Sequence, residues 1–174
     1  MIRTKSAVFP VTVILLIALS VATLSGCSSP KSDINCPFSE MSWDSTADDM
    51  IEAEGEGFDT YDSIYKGLTY TYPKEYLGNT GMIKYMYDDA GKLCNVSWSY
   101  TGDSDESVMN IYRDVVEEMK DLHGESKSDD GIGNYCEIWV TENGTVMANA
   151  VITNDAKVMQ IAYMNPEVSK QTNQ

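Results

Sequence analysis

Ile83-Lys84-Tyr85-Met86-Tyr87-Asp88-Asp89-Ala90-Gly91-Lys92-Leu93-Cys94-Asn95-Val96-Ser97-Trp98-Ser99-Tyr100 repeats with a period of two on both sides of a turn. Ile83, Tyr85 and Tyr87 occupy every second position before Asp88-Asp89-Ala90-Gly91, and Cys94, Val96, Trp98 and Tyr100 do so after it. Aromatic and β-branched residues at that period read as half-buried strands, and the Asp/Gly-rich turn joins them into an antiparallel hairpin. Upstream, Leu68, Tyr70 and Tyr72 alternate in the same way, and this strand is read as ending at Pro73.

Helices are expected on either side of this block. Ser45 with Asp48 has capping-box spacing, followed by an acidic helix over residues 46–54 that buries Met50 and Ile51 and stops at Gly55. Asp103 with Glu106 has the same spacing. Val108, Ile111, Tyr112, Val115, Met119 and Leu122 then recur at helical intervals up to Gly124. Residues 125–134 read as a polar loop. Strands are expected over 135–141, 146–153 and 157–164, with Asn143-Gly144 as a type I′ turn.

The fold class is therefore α+β: an antiparallel β-sheet with two helices packed on one face. Residues 55–100 and 124–164 echo one another and suggest a tandem helix-plus-strands repeat. The domain is placed at residues 38–165, opening with Phe38, Met41 and Trp43, and residues 166–174 are read as a polar tail.

The N-terminus carries an address. Arg3 and Lys5 precede an apolar run from Ala7 to Leu24, the layout of a secretory signal. Leu24-Ser25-Gly26-Cys27 then resembles a bacterial lipobox, in which cleavage before the cysteine follows diacylglyceryl transfer to its sulfur. Residues 1–26 are expected to be a lipoprotein signal peptide, and residues 27–37 a lipidated N-terminus and tether. Two acyl chains suffice for stable anchoring at the extracytoplasmic face of the cell membrane. The competing readings are an uncleaved membrane-spanning helix and an ordinary cleaved signal; the apolar run is only about 18 residues, the lower limit for a span.

Charge narrows the partners. The chain carries 27 acidic against 12 basic residues, a formal −15. Without Arg3 and Lys5, 10 basic residues face all 27 acidic ones, a net −17. Such a surface repels phosphate backbones, so no nucleic-acid partner is expected.

Little in the sequence equips catalysis or cofactor binding. His123 is the only histidine and sits beside a helix-ending glycine, and no nucleophile elbow, HExxH motif or phosphate loop occurs. No catalytic residue, metal site or cofactor is assigned. Asp48, Asp49, Glu52, Glu54 and Glu56 crowd one short helix and its exit and read as solvated. Asp103, Asp105 and Glu106 lack the glycine and glutamate of a calcium loop. Beyond Cys27 the cysteines are Cys36, Cys94 and Cys136. Cys94 and Cys136 share phases with apolar neighbours and are read as core-facing, leaving two states open: a bridge between them if their strands are adjacent, or reduced thiols. Many tyrosines and tryptophans either fill the core or line a concave sheet face. Trp139 alternates away from Cys136, Ile138 and Val140 and is the candidate exposed anchor, with Tyr135 beside it.

The pattern Phe38-x-x-Met41-x-Trp43-x-Ser45, the helix to Gly55, Gly81-x-Ile83-x-Tyr85-x-Tyr87-Asp88 with Lys92-Leu93, Leu122-His123-Gly124 and the strand holding Trp139 carries a resemblance. The chain resembles small bacterial lipoproteins with a β-lactamase-inhibitor-protein-like fold over residues 38–164. That group includes the small lipoprotein of the outer-membrane assembly machinery and many Gram-positive lipoproteins. One departure is Trp43-Asp44, where these proteins often have Trp-Gly. The resemblance implies a protein-binding or envelope-associated module and carries no catalytic residue onto this chain. The functional expectation is a non-enzymatic, membrane-anchored lipoprotein with a protein partner; the alternative is small-ligand or glycan binding in an aromatic cleft.

Overall fold

A computed structural model describes residues 33–128 and 135–171. The lipobox residues Leu24, Ser25, Gly26 and Cys27 lie outside them. In chain order the elements are α1 (Ala47–Glu54), β1 (Asp59–Asp62), β2 (Lys66–Tyr76), β3 (Asn79–Asp88), β4 (Leu93–Thr101), α2 (Asp105–His123), β5 (Lys127–Ser128), β6 (Cys136–Thr141), β7 (Gly144–Ile152), β8 (Lys157–Met164) and α3 (Pro166–Gln171). The class is α+β. The strands form one antiparallel sheet in the order β1-β2-β3-β4-β8-β7-β6-β5, so each half is a meander and the halves join at β4 and β8.

The turn at Asp88 forms as the sequence requires. Its carboxylate accepts the Ala90 and Lys92 N–H groups, and Gly91 takes the positive φ of 79° that closes the loop. Beyond it the alternation slips. Met86 pairs with Asn95 but Tyr87 with Leu93, so Cys94 is the extra residue of a β-bulge. Leu93 takes the core position, and Cys94 turns toward Ile64, Tyr65 and Val168 instead.

β2 does not stop at Pro73. It runs on to Tyr76 and turns into β3 through Leu77 and Gly78, both at positive φ. Proline is tolerated because β1 pairs only as far as Thr71, leaving Pro73 on a free edge.

Both helix starts lie one residue later than the spacing suggested. Thr46 caps α1 with Asp49 as its reciprocal partner, while Ser45 Oγ accepts the Ser42 N–H. Ser104 caps α2 with Ser107. Val108, Ile111, Tyr112, Val115 and Met119 are buried along α2, as its periodicity required, but Leu122 is exposed. Two boundaries move as well. Ile34 and Cys36 are buried, so the packed domain takes in part of the expected tether. The expected tail begins with α3: Pro166 occupies its first turn, and the buried Asn165 accepts the Glu167 N–H as a cap. The polar loop contains β5, which pairs Lys127 with Ile138 and Ser128 with Glu137. At the next hairpin the turn residues are Glu142 and Asn143, since Gly144 already pairs with Thr141.

One sheet face holds the core. Tyr72, Ile83, Tyr85, Val96, Trp98, Ile161, Tyr163 and Val146 are buried there. The close approach of Trp98 demands Gly81: a Cβ at that position would sit 2.5 Å from the indole and 2.5 Å from the Ser99 carbonyl oxygen. Among the described residues no helix is long and apolar enough to cross a membrane.

Candidate functional site

Strand pairing sorts the sheet residues into continuous cross-strand rows. One core-side row reads Tyr70, Tyr85, Val96, Tyr163, Val146 and Trp139 from β2 to β6. Its polar tips meet helix groups. Tyr85 Oη donates to Glu54 Oε1 at 2.6 Å, with Ser39 Oγ 3.1 Å away. Tyr163 Oη donates to Met119 Sδ at 3.1 Å and lies 3.3 Å from His123 Nε2.

Trp139 Nε1 donates to the Gly124 carbonyl at 2.9 Å. Trp139 is therefore a core residue, 2% exposed, and not a surface anchor. The apolar phase of β6 is Cys136, Ile138 and Val140, yet the register pairing Trp139 with Val146 turns the phase of Glu137, Trp139 and Thr141 to the core side, where the indole is buried. Cys136, Ile138 and Val140 take the opposite face, where Val140 is 70% exposed. Tyr135 is exposed, with its ring against Tyr112 of α2 at a centroid distance of 5.9 Å.

The cysteine alternatives resolve in favour of thiols. Cys36, Cys94 and Cys136 are reduced and buried. β8 and β7 separate β4 from β6, so Cys94 and Cys136 stand three strand spacings apart, roughly 14 Å, against the ~4.4–6.8 Å Cα separation a disulfide needs. Burial, with a smaller contribution from neighbouring Asp88, raises the Cys94 pKa. Cys36 is raised further, chiefly by burial.

The carboxylates in the interior are engaged. Lys74 Nζ reaches both oxygens of Glu54 at 2.9 Å, alongside the Tyr85 hydroxyl, so α1, β2 and β3 share one half-buried charge pair. Tyr76 Oη donates to Glu118 of α2. Burial and then the carboxylate bond raise the pKa of both tyrosines, while burial lowers that of His123. Among the described residues no group of three or more His, Cys, Asp or Glu side chains could hold a metal ion.

An open cleft of about 680 Å³ lies between the N-terminus of α1 and the β3–β4 turn, with Asp48, Asp62, Asp88, Asp89 and Lys66 around Tyr70 and Tyr87. Tyr72, Tyr76, Tyr87, Trp98 and Trp139 are buried, so few rings remain to line a glycan site.

The other sheet face differs in chemistry. Its central row runs Asp59, Thr71, Lys84, Ser97, Ala162, Met147, Ile138 and Lys127, one residue from each of the eight strands. Flanking rows place Met86 level with Asn95, Met164, Thr145 and Val140, and Met82 level with Ser99, Gln160, Asn149 and Cys136. Four methionines thus share this face. Met82, Val140 and Val151 are exposed, and Met86, Met147 and Met164 are half-buried. Across the paired rows from β3 to β6 no carboxylate occurs, although the chain has 27. Two polar atoms on its floor, Ser97 Oγ and Asn149 Oδ1, are buried without a hydrogen-bond partner among the described residues.

Sequence reasoning missed this surface. Its residues are the solvent-phase positions of strands chosen for their other phase, and the row exists only once distant strands are paired. Methionine on the outward phase of β3, β7 and β8 was the available signal. In comparisons with known proteins, no family model, no curated protein and no solved structure matches this chain.

Proposed function

We propose that this chain is a non-enzymatic binding module, held outside the cell membrane by lipid on Cys27, which takes a protein partner on the open face of its sheet. The observation that carries the reading is the composition of that face. A mature chain of formal charge −17 keeps carboxylates off the central strands of one surface, from β3 to β6, and places methionine, valine and small residues there. Methionine is adaptable and makes dispersion contacts with many shapes, which suits a protein-binding surface. Charge depletion with an apolar centre is the signature of an interface core.

The placement rests on the basic start, the apolar run and the lipobox, in that order. The architecture supporting it is read as two helix-plus-four-strand halves, α1 with β1–β4 and α2 with β5–β8, whose helices cover the same face. Strand order favours this reading, as do the bonds from Tyr85 to Glu54 and from Trp139 to Gly124, which belong to one row.

Photo-crosslinking in membranes tests the function. A benzophenone amino acid replaces Met147 on the open face or, as control, the exposed Glu117 of α2, in the full-length chain. The expected result is a protein adduct of defined mass from position 147 and none from 117. Equal labelling, or none from 147, contradicts the reading.

A further inference from the structure

The central row of the open face begins with one charge and ends with the other. Asp59 on β1 and Lys127 on β5 are both exposed and lie at opposite sheet edges, linked by six directly paired neighbours. On the basis of the binding face argued above, we propose that the occupant of this face is a second copy of the same chain, packed sheet to sheet about a two-fold axis that runs along the strands between β4 and β8.

Symmetry and charge select this arrangement. Rotation about an axis parallel to the strands keeps each row at its own level and reverses strand order, so β1 of one copy lies over β5 of the other. Asp59 then faces the partner copy's lysine at position 127, and the contact occurs twice, as a closed isologous interface requires. Lys84 lies over the methionine of β7. The small residues Ser97 and Ala162 flank the axis, each Ser97 over the partner copy's alanine of β8, so the two sheets can approach closely there. The in-plane alternative, an axis perpendicular to the strands, stacks β1 on β1 and sets Asp59 against acid. Strands in the selected packing stay nearly aligned, as in β-sandwiches.

Area and net charge are compatible with this. Seven spacings of ~4.8 Å across the eight strands and three of about 6.6 Å along the longer ones bound a face of at most roughly 700 Å² per copy, a little below the ~800 Å² per partner of a standard interface. Two mature bodies of −17 repel, and Glu75 of β2 and Asp88 of β3 lie toward the ends of this face, but its paired rows from β3 to β6 carry no carboxylate, and charges more than a Debye length of about 8 Å away are largely screened. A face whose paired rows from β3 to β6 are free of acid, on so acidic a chain, is the surface at which a like-charged copy can approach.

The test uses the full-length lipidated chain in density-matched detergent, read by sedimentation velocity across concentration. The native chain should reversibly dimerise at micromolar concentration. Asp59→Lys or Lys127→Glu alone should weaken dimerisation about tenfold, as two symmetric edge pairs are lost, and the Asp59→Lys/Lys127→Glu double variant should restore it. Circular dichroism and melting of each variant verify folding, and both positions are exposed at sheet edges. A chain that stays monomeric at tens of micromolar overturns the proposal, as does a double variant no better than either single. If a monomeric chain still gives a heterologous adduct from position 147 in membranes, the binding face stands and only the second copy is excluded. Loss of that adduct as well removes both.

Discussion

Tyr85 on β3 donates its hydroxyl hydrogen to Glu54 on α1 at 2.6 Å, and the same carboxylate receives Lys74 from β2. A residue chosen by period two thus meets one chosen by helical position, 31 places apart in the chain. Tyr85→Phe removes one of the donors while leaving the charge pair. It should cost about 1–2 kcal/mol, the range for a hydrogen bond to a charged group that keeps other partners. Urea unfolding should show a lower midpoint with an unchanged slope.

The placement of β6 makes a contrast between neighbours. Trp139→Ala removes a buried indole and leaves the Gly124 carbonyl without its donor, a loss of about 3–5 kcal/mol. Val140→Ala, on the open face, should change stability by less than about 0.5 kcal/mol. Equal effects of the two substitutions in chemical denaturation would contradict the phase assigned to this strand.

Tyrosines give the fold an alkaline limit. Tyr76, Tyr85, Tyr87 and Tyr163 have pKa values raised mainly by burial, and Tyr112 is pushed up to about 12 by the same cause. A raised folded pKa favours the protonated form, so this stability is complete below the unfolded tyrosine value near ~10 and is lost as pH rises above it. Unfolding free energy measured in urea should be flat through neutral pH and fall steadily above pH ~10. His123 acts in the opposite sense: its lowered pKa costs some stability as pH falls below ~6.5.

The hairpin at Asp88, the body of α2 and β6 to β8 were legible because periodicity and turn residues are local signals. Cap positions moved by one residue because Ser45, Thr46 and Ser104 all offer a hydroxyl, and tertiary contacts choose among them. Ser45, for example, is taken up by the Ser42 N–H. Trp139 shares its phase with the polar Glu137 and Thr141, so local alternation points it outward, and only pairing with Val146 shows that this phase is the buried one. The open face was least legible. Asp59 and Lys127 are separated by 67 intervening residues, and neither belongs to a motif; they become ends of one row only when the whole sheet is assembled.

The face carries its own probes. Met82, Met86, Met147 and Met164 sit on it, whereas Met50, Met119 and Met159 are fully buried and serve as internal controls. Mild peroxide oxidation followed by peptide mass spectrometry compares native membranes with the same protein extracted and diluted far below micromolar concentration. If the open sheet face is an interface, the four methionines oxidise several-fold more slowly in membranes than after dilution, while the controls stay unoxidised in both. Equal oxidation of the four in the two samples would contradict the account.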